Sequence, residues 1–205
     1  MVSEAVMYKK VTVGILVIVA ILAFVDFNLS KKDIKNSIQE KNLPPKDWSK
    51  FFPFTGKFTV YLPKAPKYAI DVINEPNTDI KRWYEMYASE EVNGTVFLLN
   101  LISYQSEPDP HHVKNLLHNV INELVSSNLN NHVIEIKDGT FKEREAVFFN
   151  IENEAIEVKG VAFLAGKTIY QLTYTSLSEN FEDDEYQNFI NSFELVKQNL
   201  PEGNP

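Results

Sequence analysis

The chain has 205 residues, 44 % of them hydrophobic, no cysteine, and a formal net charge of −8. The missing cysteines exclude disulfides, thiolate zinc sites, cysteine nucleophiles and a lipidated cysteine anchor. Glu4, Asp26, Lys9 and Lys10 cancel one another, so the acidic excess lies after the first 27 residues, and nucleic acid is not an expected partner.

Val11 to Val25 is uninterrupted apolar or small. A helix of that length spans about 22 Å, short of the roughly 30 Å hydrocarbon core; Phe27 and Leu29 extend it if Asp26 reaches the interface. A cleaved signal peptide fits the length too, but it needs small residues at −3 and −1, and Ala20 and Ala23 stand one step too far apart. The expectation is an uncleaved signal anchor, one transmembrane helix within residues 1–29. A buried core helix is the weakest alternative. Lys9, Lys10 and the terminal amine favour an inside N-terminus, while Lys31, Lys32, Lys35 and Lys41 on the far flank argue the reverse. The closer pair carries more weight. It places the body on the extracytoplasmic side of the inner (cytoplasmic) membrane, with a cytoplasmic-face adaptor as the rival topology.

Residues 30–53 read as a juxtamembrane stalk, with Ile34 and Ile38 one helical turn apart before the Pro44-Pro45 break. Trp48, Phe51, Phe52 and Phe54 follow. They form either a membrane-interface anchor or the first hydrophobic layer of the domain. The second is preferred, because roughly twenty residues separate them from the apolar run.

From there the period is two. Phe58, Val60 and Leu62 point one way, and Pro63 ends that strand. Tyr68–Ile73 is a weaker strand. Ile80–Ser89 and Thr95–Tyr104 follow, joined through the Asn93-Gly94 hairpin signal. The second of these is apolar on both faces and is expected at the centre of a sheet. Asp109 then caps a helix with Pro110 at its first position. Its apolar stripe is Val113, Leu116, Leu117, Val120, Ile121, Leu124 and Val125. Four strands come next: Val133–Lys137, Glu145–Glu152, Ile156–Leu164 and Thr168–Thr175. A last helix runs from about Glu179 to Asn191, capped by Ser178, with Tyr186, Phe189, Ile190 and Phe193 on its buried side. Ser192–Val196 closes as a short strand, and residues 197–205 read as a frayed, flexible tail.

No reaction centre stands out. Gly166-Lys167-Thr168 lacks the glycine a phosphate loop requires at position 161, which is Val161; Gly160 is one residue early, and strands flank the motif. It reads as a hairpin turn. His111 and His118 lie two turns apart on the polar helix face, where metal-binding pairs sit one turn apart. A solvated face is the simpler reading, and His132 has no evident partner. Glu182–Glu185 matches the charge preference of a helix start and lacks the spacing of a calcium loop. Asn93-Gly94-Thr95 and Asn28-Leu29-Ser30 match the glycosylation sequon by coincidence. No catalytic, cofactor-binding or metal-binding residue is assigned.

The stretches GKFTVYLPKAP (56–66), GKTIYQLTYTS (166–176) and YQNFINSFEL (186–195) together resemble a superfamily. It includes the PsbP extrinsic subunits of photosystem II, the Ran-binding Mog-type proteins and many exported bacterial proteins. The resemblance covers Phe54 to Val196 and rests on the order of structural motifs. It implies an α/β/α sandwich around a central antiparallel sheet, an α+β fold, that binds without catalysing. No functional residue carries over, since the matching positions are core or turn positions. An apolar helix replaces the lipidated cysteine of many exported members.

The domain plan is therefore anchor 1–29, stalk 30–53, globular domain 54–196 and tail 197–205. The expected role is a non-enzymatic, membrane-anchored binding or scaffolding module of the bacterial envelope, without cofactor or metal. Its partners would be the membrane, through the first helix, and another envelope protein. The alternative is an envelope small-ligand binder or enzyme whose polar groups converge only in the fold.

Overall fold

The computed structural model describes residues 45–74 and 80–196. The expected anchor at 1–29, most of the stalk and the tail at 197–205 lie outside the described residues, as does Asn28. Alternating apolar residues give ten strands among the described residues. They are β1 (Ser49–Phe51), β2 (Phe58–Leu62), β3 (Lys67–Asn74), β4 (Lys81–Glu90), β5 (Val96–Ser103), β6 (Asn131–Phe141), β7 (Arg144–Asn153), β8 (Ile156–Ala165), β9 (Thr168–Leu177) and β10 (Glu194–Leu195). The 3.6-residue stripes give α1 (Val113–Ser126) and α2 (Asp183–Ser192).

Seven strands form one antiparallel sheet in the order β3-β4-β5-β9-β8-β7-β6. The expected central strand, β5, lies between β4 and β9, and apart from half-buried Asn100 its residues are buried. A small sheet, β1-β2-β10, packs with α2 on one face. There Phe58, Val60, Leu62, Phe189 and Phe193 meet Phe97, Leu99, Phe163, Tyr170 and Tyr174. On the other face α1 buries Leu117, Val120 and Ile121 against Ile102, Val147, Phe149, Ile151, Ala162 and Ile169. The body is thus predominantly β, two sheets with α1 on one face of the large sheet and α2 beside the small sheet on the other.

Several local expectations need correction. Trp48 is buried in the core, and β1 pairs with β2, so residues assigned to the stalk are part of the folded body. The aromatic cluster divides: Trp48 is buried and Phe51 partly so, but Phe52 and Phe54 are 58 % and 80 % exposed. Asp109 caps a 3-10 turn (Pro110–His112) rather than α1 itself, its carboxylate accepting from His111 N–H at 2.9 Å. Ser178 opens another 3-10 turn, and its amide donates to Ala155 O at 2.7 Å; α2 starts five residues later, at Asp183. Proline and the acidic side chains favour tight turns as well as helix starts, so composition alone did not separate the two.

Gly166-Lys167 is the two-residue turn between β8 and β9, with Gly166 at φ +56°. Asn93 Oδ1 accepts from Thr95 N–H at 3.0 Å, so that sequon shapes the β4–β5 loop. Between β6 and β7, Lys142 and Glu143 adopt φ +48° and +65° without glycine. The Lys142 ammonium donates to Asn191 O at 2.9 Å, near the C-terminal end of α2, where the helix dipole favours a cation.

Candidate interaction surface

The outer strand β3 has three apolar side chains on its α2-side face. Tyr68 lies opposite Tyr87, Ile70 opposite Glu85 and Val72 opposite Trp83. Tyr87 belongs to the core on that side, which fixes the direction of the set. Alternation of this kind reads as a buried face. Here α2 and the small sheet do not cover it: Tyr68, Ile70 and Val72 are 41 %, 60 % and 46 % exposed.

Two phenylalanines extend the shelf. Gly56 N–H donates to Pro53 O at 2.9 Å, and Gly56 takes φ +67°, closing a turn over residues 53–56. Phe54, inside that turn, is thrown outward, and its ring meets Tyr68 edge-on at 5.5 Å. Tyr68 in turn lies 4.9 Å from Tyr87, which contacts Phe58 at 5.6 Å. The exposed rings are thereby braced on the core. Phe52 lies beside the same turn, with its Cζ close to Gly56. Five exposed apolar side chains thus lie along β3 and around this turn.

Below the shelf the polar groups satisfy each other. Lys57 Nζ donates to Glu85 Oε1 at 2.6 Å, and the Tyr87 hydroxyl donates to Glu85 Oε2 at 3.1 Å. Glu85 is buried, so this pairing is what makes its charge tolerable. Burial first, and the Glu85 charge second, push the Tyr87 phenol well above its ordinary range. The phenol is a donor at neutral pH, not a base. The array locks the start of β2 onto β4.

A second polar cluster sits at the start of α2. Tyr174 donates from its hydroxyl to Glu185 Oε2 at 2.9 Å. Burial, then the Glu91 charge, push the Glu185 carboxyl up to about 7; Glu182 and Asp47 add to the rise, and the Tyr174 hydrogen bond opposes it. Glu91 is raised by burial and by Asp47, with Lys64 opposing. Four carboxylates from three parts of the chain therefore crowd one junction, and one of them can hold a proton near neutrality.

The histidines do not converge. His118 Nε2 lies 2.7 Å from Asp138 Oδ1, and Lys114 Nζ lies 2.5 Å from Asp138 Oδ2, tying α1 to β6. Hydrogen bonds from Lys114 first and His118 second hold the Asp138 carboxyl below its usual range. His112 contacts Asp109 at 3.2 Å. Among the described residues no group of three His, Cys, Asp or Glu side chains is placed to hold a metal ion. Of the Glu182–Glu185 run, Asp183, Asp184 and Glu185 fall in the first turn of α2, and Asp183 pairs with Lys159 at 2.5 Å.

The β3 part of the shelf escaped the reading of the sequence, which singles out only Phe52 and Phe54 of these five. Its one signal was Tyr68, Ile70 and Val72 alternating with Lys67, Ala69 and Asp71. That pattern identifies a face and says nothing of whether another element covers it.

No family profile matches the sequence, and no curated protein is found to match it. Among solved structures, cyanobacterial PsbP (CyanoP) from Synechocystis sp. PCC 6803 aligns with a TM-score of 0.47 and 4 % identity, over 78 % of this chain and 98 % of that one. A protein of Bacteroides thetaiotaomicron VPI-5482 aligns with a TM-score of 0.38 and 11 % identity, over 74 % of this chain and 50 % of that one. Neither likeness defines the fold; the strand order and the layers do. Among the described residues no helix is long and apolar enough to cross a membrane.

Proposed function

We propose that this chain is a non-catalytic binding or scaffolding module of the bacterial cell envelope, with a PsbP-like body. Its N-terminal apolar run tethers it to the membrane, and the β3 shelf receives an envelope protein. One observation carries the reading: Phe52, Phe54, Tyr68, Ile70 and Val72 form an exposed apolar surface braced on the core. Burying such a surface against a partner contributes about 25 cal/mol per Å² before the costs of association. The polar groups beneath are consumed in the Lys57–Glu85–Tyr87 array, which favours a holding role over a chemical one.

The test is membrane fractionation with protease accessibility, followed by crosslinking in cells. Full-length protein should stay in the membrane fraction and lose its body to external protease. Its crosslinked partner should disappear in a Phe54→Ser/Ile70→Ser variant that still folds. A soluble protein lacking its first two dozen residues would overturn the tether, and unchanged crosslinking would overturn the shelf.

A second reading, an envelope small-ligand binder or enzyme, has one observation in its favour: the Glu185 carboxyl that takes up a proton near neutrality beside Tyr174. A thermal-shift screen in which a small molecule stabilises the protein, but not Glu185→Gln, would favour this reading over the first.

A further inference from the structure

The two edges of the large sheet differ. At one end, β6 shifts register between Val133 and Glu135, and Asp138 on that strand is engaged by α1 through Lys114 and His118. A bulge and charges of this kind discourage pairing with another chain. At the other end, β3 pairs with β4 residue for residue from Lys67 to Asn74 without a shift. Among the described residues no strand pairs with its outer edge, which is a regular ladder.

The polarity of that ladder can be read. Val72 N–H donates to Asp71 Oδ1 at 2.7 Å, an acceptor reached from the open side because β4 occupies the other. Alternation then puts the amides and carbonyls of Tyr68 and Ile70 on the open side as well. These are the residues of the exposed shelf.

We infer that β3 pairs antiparallel with β3 of a second copy, about a two-fold axis at Ile70, joining two seven-stranded sheets into one. This goes beyond the proposed function: the contact forms whether or not the shelf holds a partner. Ile70 meets Ile70 of the second copy, and Tyr68 meets its Val72. Apolar cross-strand pairs of this kind favour a register. On the opposite face Lys67, which lies 3.8 Å from Glu90 Oε2 of its own chain, comes diagonal to Asp71 of the second copy, which adds an acidic neighbour on its other side. In the pair, Val72 N–H exchanges the Asp71 carboxylate for a Tyr68 carbonyl, which frees Asp71 to face that lysine.

Two neighbouring registers fit the same amide pattern and are worse. Centring on Asp71 sets two aspartates directly opposite, a destabilising pair. Centring on Ala69 sets Lys67 directly opposite Asp71, but it moves Pro66, which has no N–H to donate, from opposite Asn74 at the strand end to opposite Val72 inside the ladder. The favoured axis is normal to the sheet. Both shelves then face the same way and merge into one apolar platform.

The cysteine-free chain makes the test direct. Single variants Ala69→Cys, Ile70→Cys and Asp71→Cys of the full-length protein, in detergent micelles, are oxidised mildly and analysed for covalent dimers. Directly paired Cα atoms lie about 5.5 Å apart, within disulfide reach, and the next positions lie beyond about 7 Å. Ile70→Cys should give the dimer, while its two neighbours and Ile134→Cys on β6 should not. Sedimentation equilibrium should show self-association weakened about tenfold or more in Ile70→Lys. That exposed site leaves folding intact, as circular dichroism would verify. A monomeric wild-type protein, preferential crosslinking at Ala69, Asp71 or Ile134, or dimerisation unaffected by Ile70→Lys would each overturn the inference.

Discussion

Gly160 shows what a single position contributes. It pairs with Phe149 across β7 and β8, and the phenylalanine ring lies over it. A Cβ built there would overlap Phe149 Cζ and come within 2.5 Å of Leu172 O. The ring is packed in the α1-side core, and the carbonyl belongs to fully internal β9, so neither can retreat freely. Gly160→Ala should therefore lower stability by about 2–3 kcal/mol. The urea midpoint should fall with an unchanged slope, and an unmoved midpoint would mean that the ring and strand yield. In the sequence this glycine stood one place from a phosphate-loop pattern, and its actual task is to be without a side chain. Glu85 makes the complementary point. It read as one more strand residue, yet Lys57, 28 residues earlier, is what makes it tolerable inside.

At the scale of an element, the start of α2 carries a proton-dependent term. A glutamate ionises near 4.5 when unperturbed, and Glu185 in the fold ionises at about 7. Between those values the native state keeps a proton that the unfolded state has released. The contribution is therefore complete below about 4.5, falls as pH rises to about 7 and stays lost above that. Solvent screening holds it to about 1–2 kcal/mol. Thermal unfolding from pH 5 to pH 8 should show a falling melting temperature, and Glu185→Gln should flatten the slope while still accepting from Tyr174. An identical slope in the variant would assign the effect elsewhere. The stripe of α1 was legible because a 3.6-residue period admits one helical face; its start was not, because Asp109 and Pro110 serve a 3-10 turn as readily.

Across the whole molecule, the two ends of the described chain close on each other. Leu195 pairs with Phe58 and Phe51 with Val60, so β2 is held between a late strand and an early one. Phe193, between α2 and β10, is fully buried and stacks on Phe58 at 5.4 Å, with Phe163 and Tyr170 each 5.7 Å away. It joins the small sheet, α2 and the large sheet. Phe193→Ala should cost about 3–5 kcal/mol, and all spectroscopic probes should unfold together at a lower denaturant concentration. A non-coincident transition, with the small sheet lost first, would show that this closure is not cooperative.

Periodicity, turn chemistry and charge were local properties, and the sequence alone was enough to read them. They placed most strands, both helical stripes, the Gly166-Lys167 turn and the lack of any thiol chemistry. What the tertiary structure decided was coverage and convergence. Tyr68, Ile70 and Val72 alternate just as a buried strand does, and only the positions of α2 and the small sheet leave them open. Glu185 meets Tyr174, and Lys57 meets Glu85, because distant segments are brought together. Solvent exposure and proton affinity depend on neighbours in space, and a period along the chain does not encode which neighbours those are.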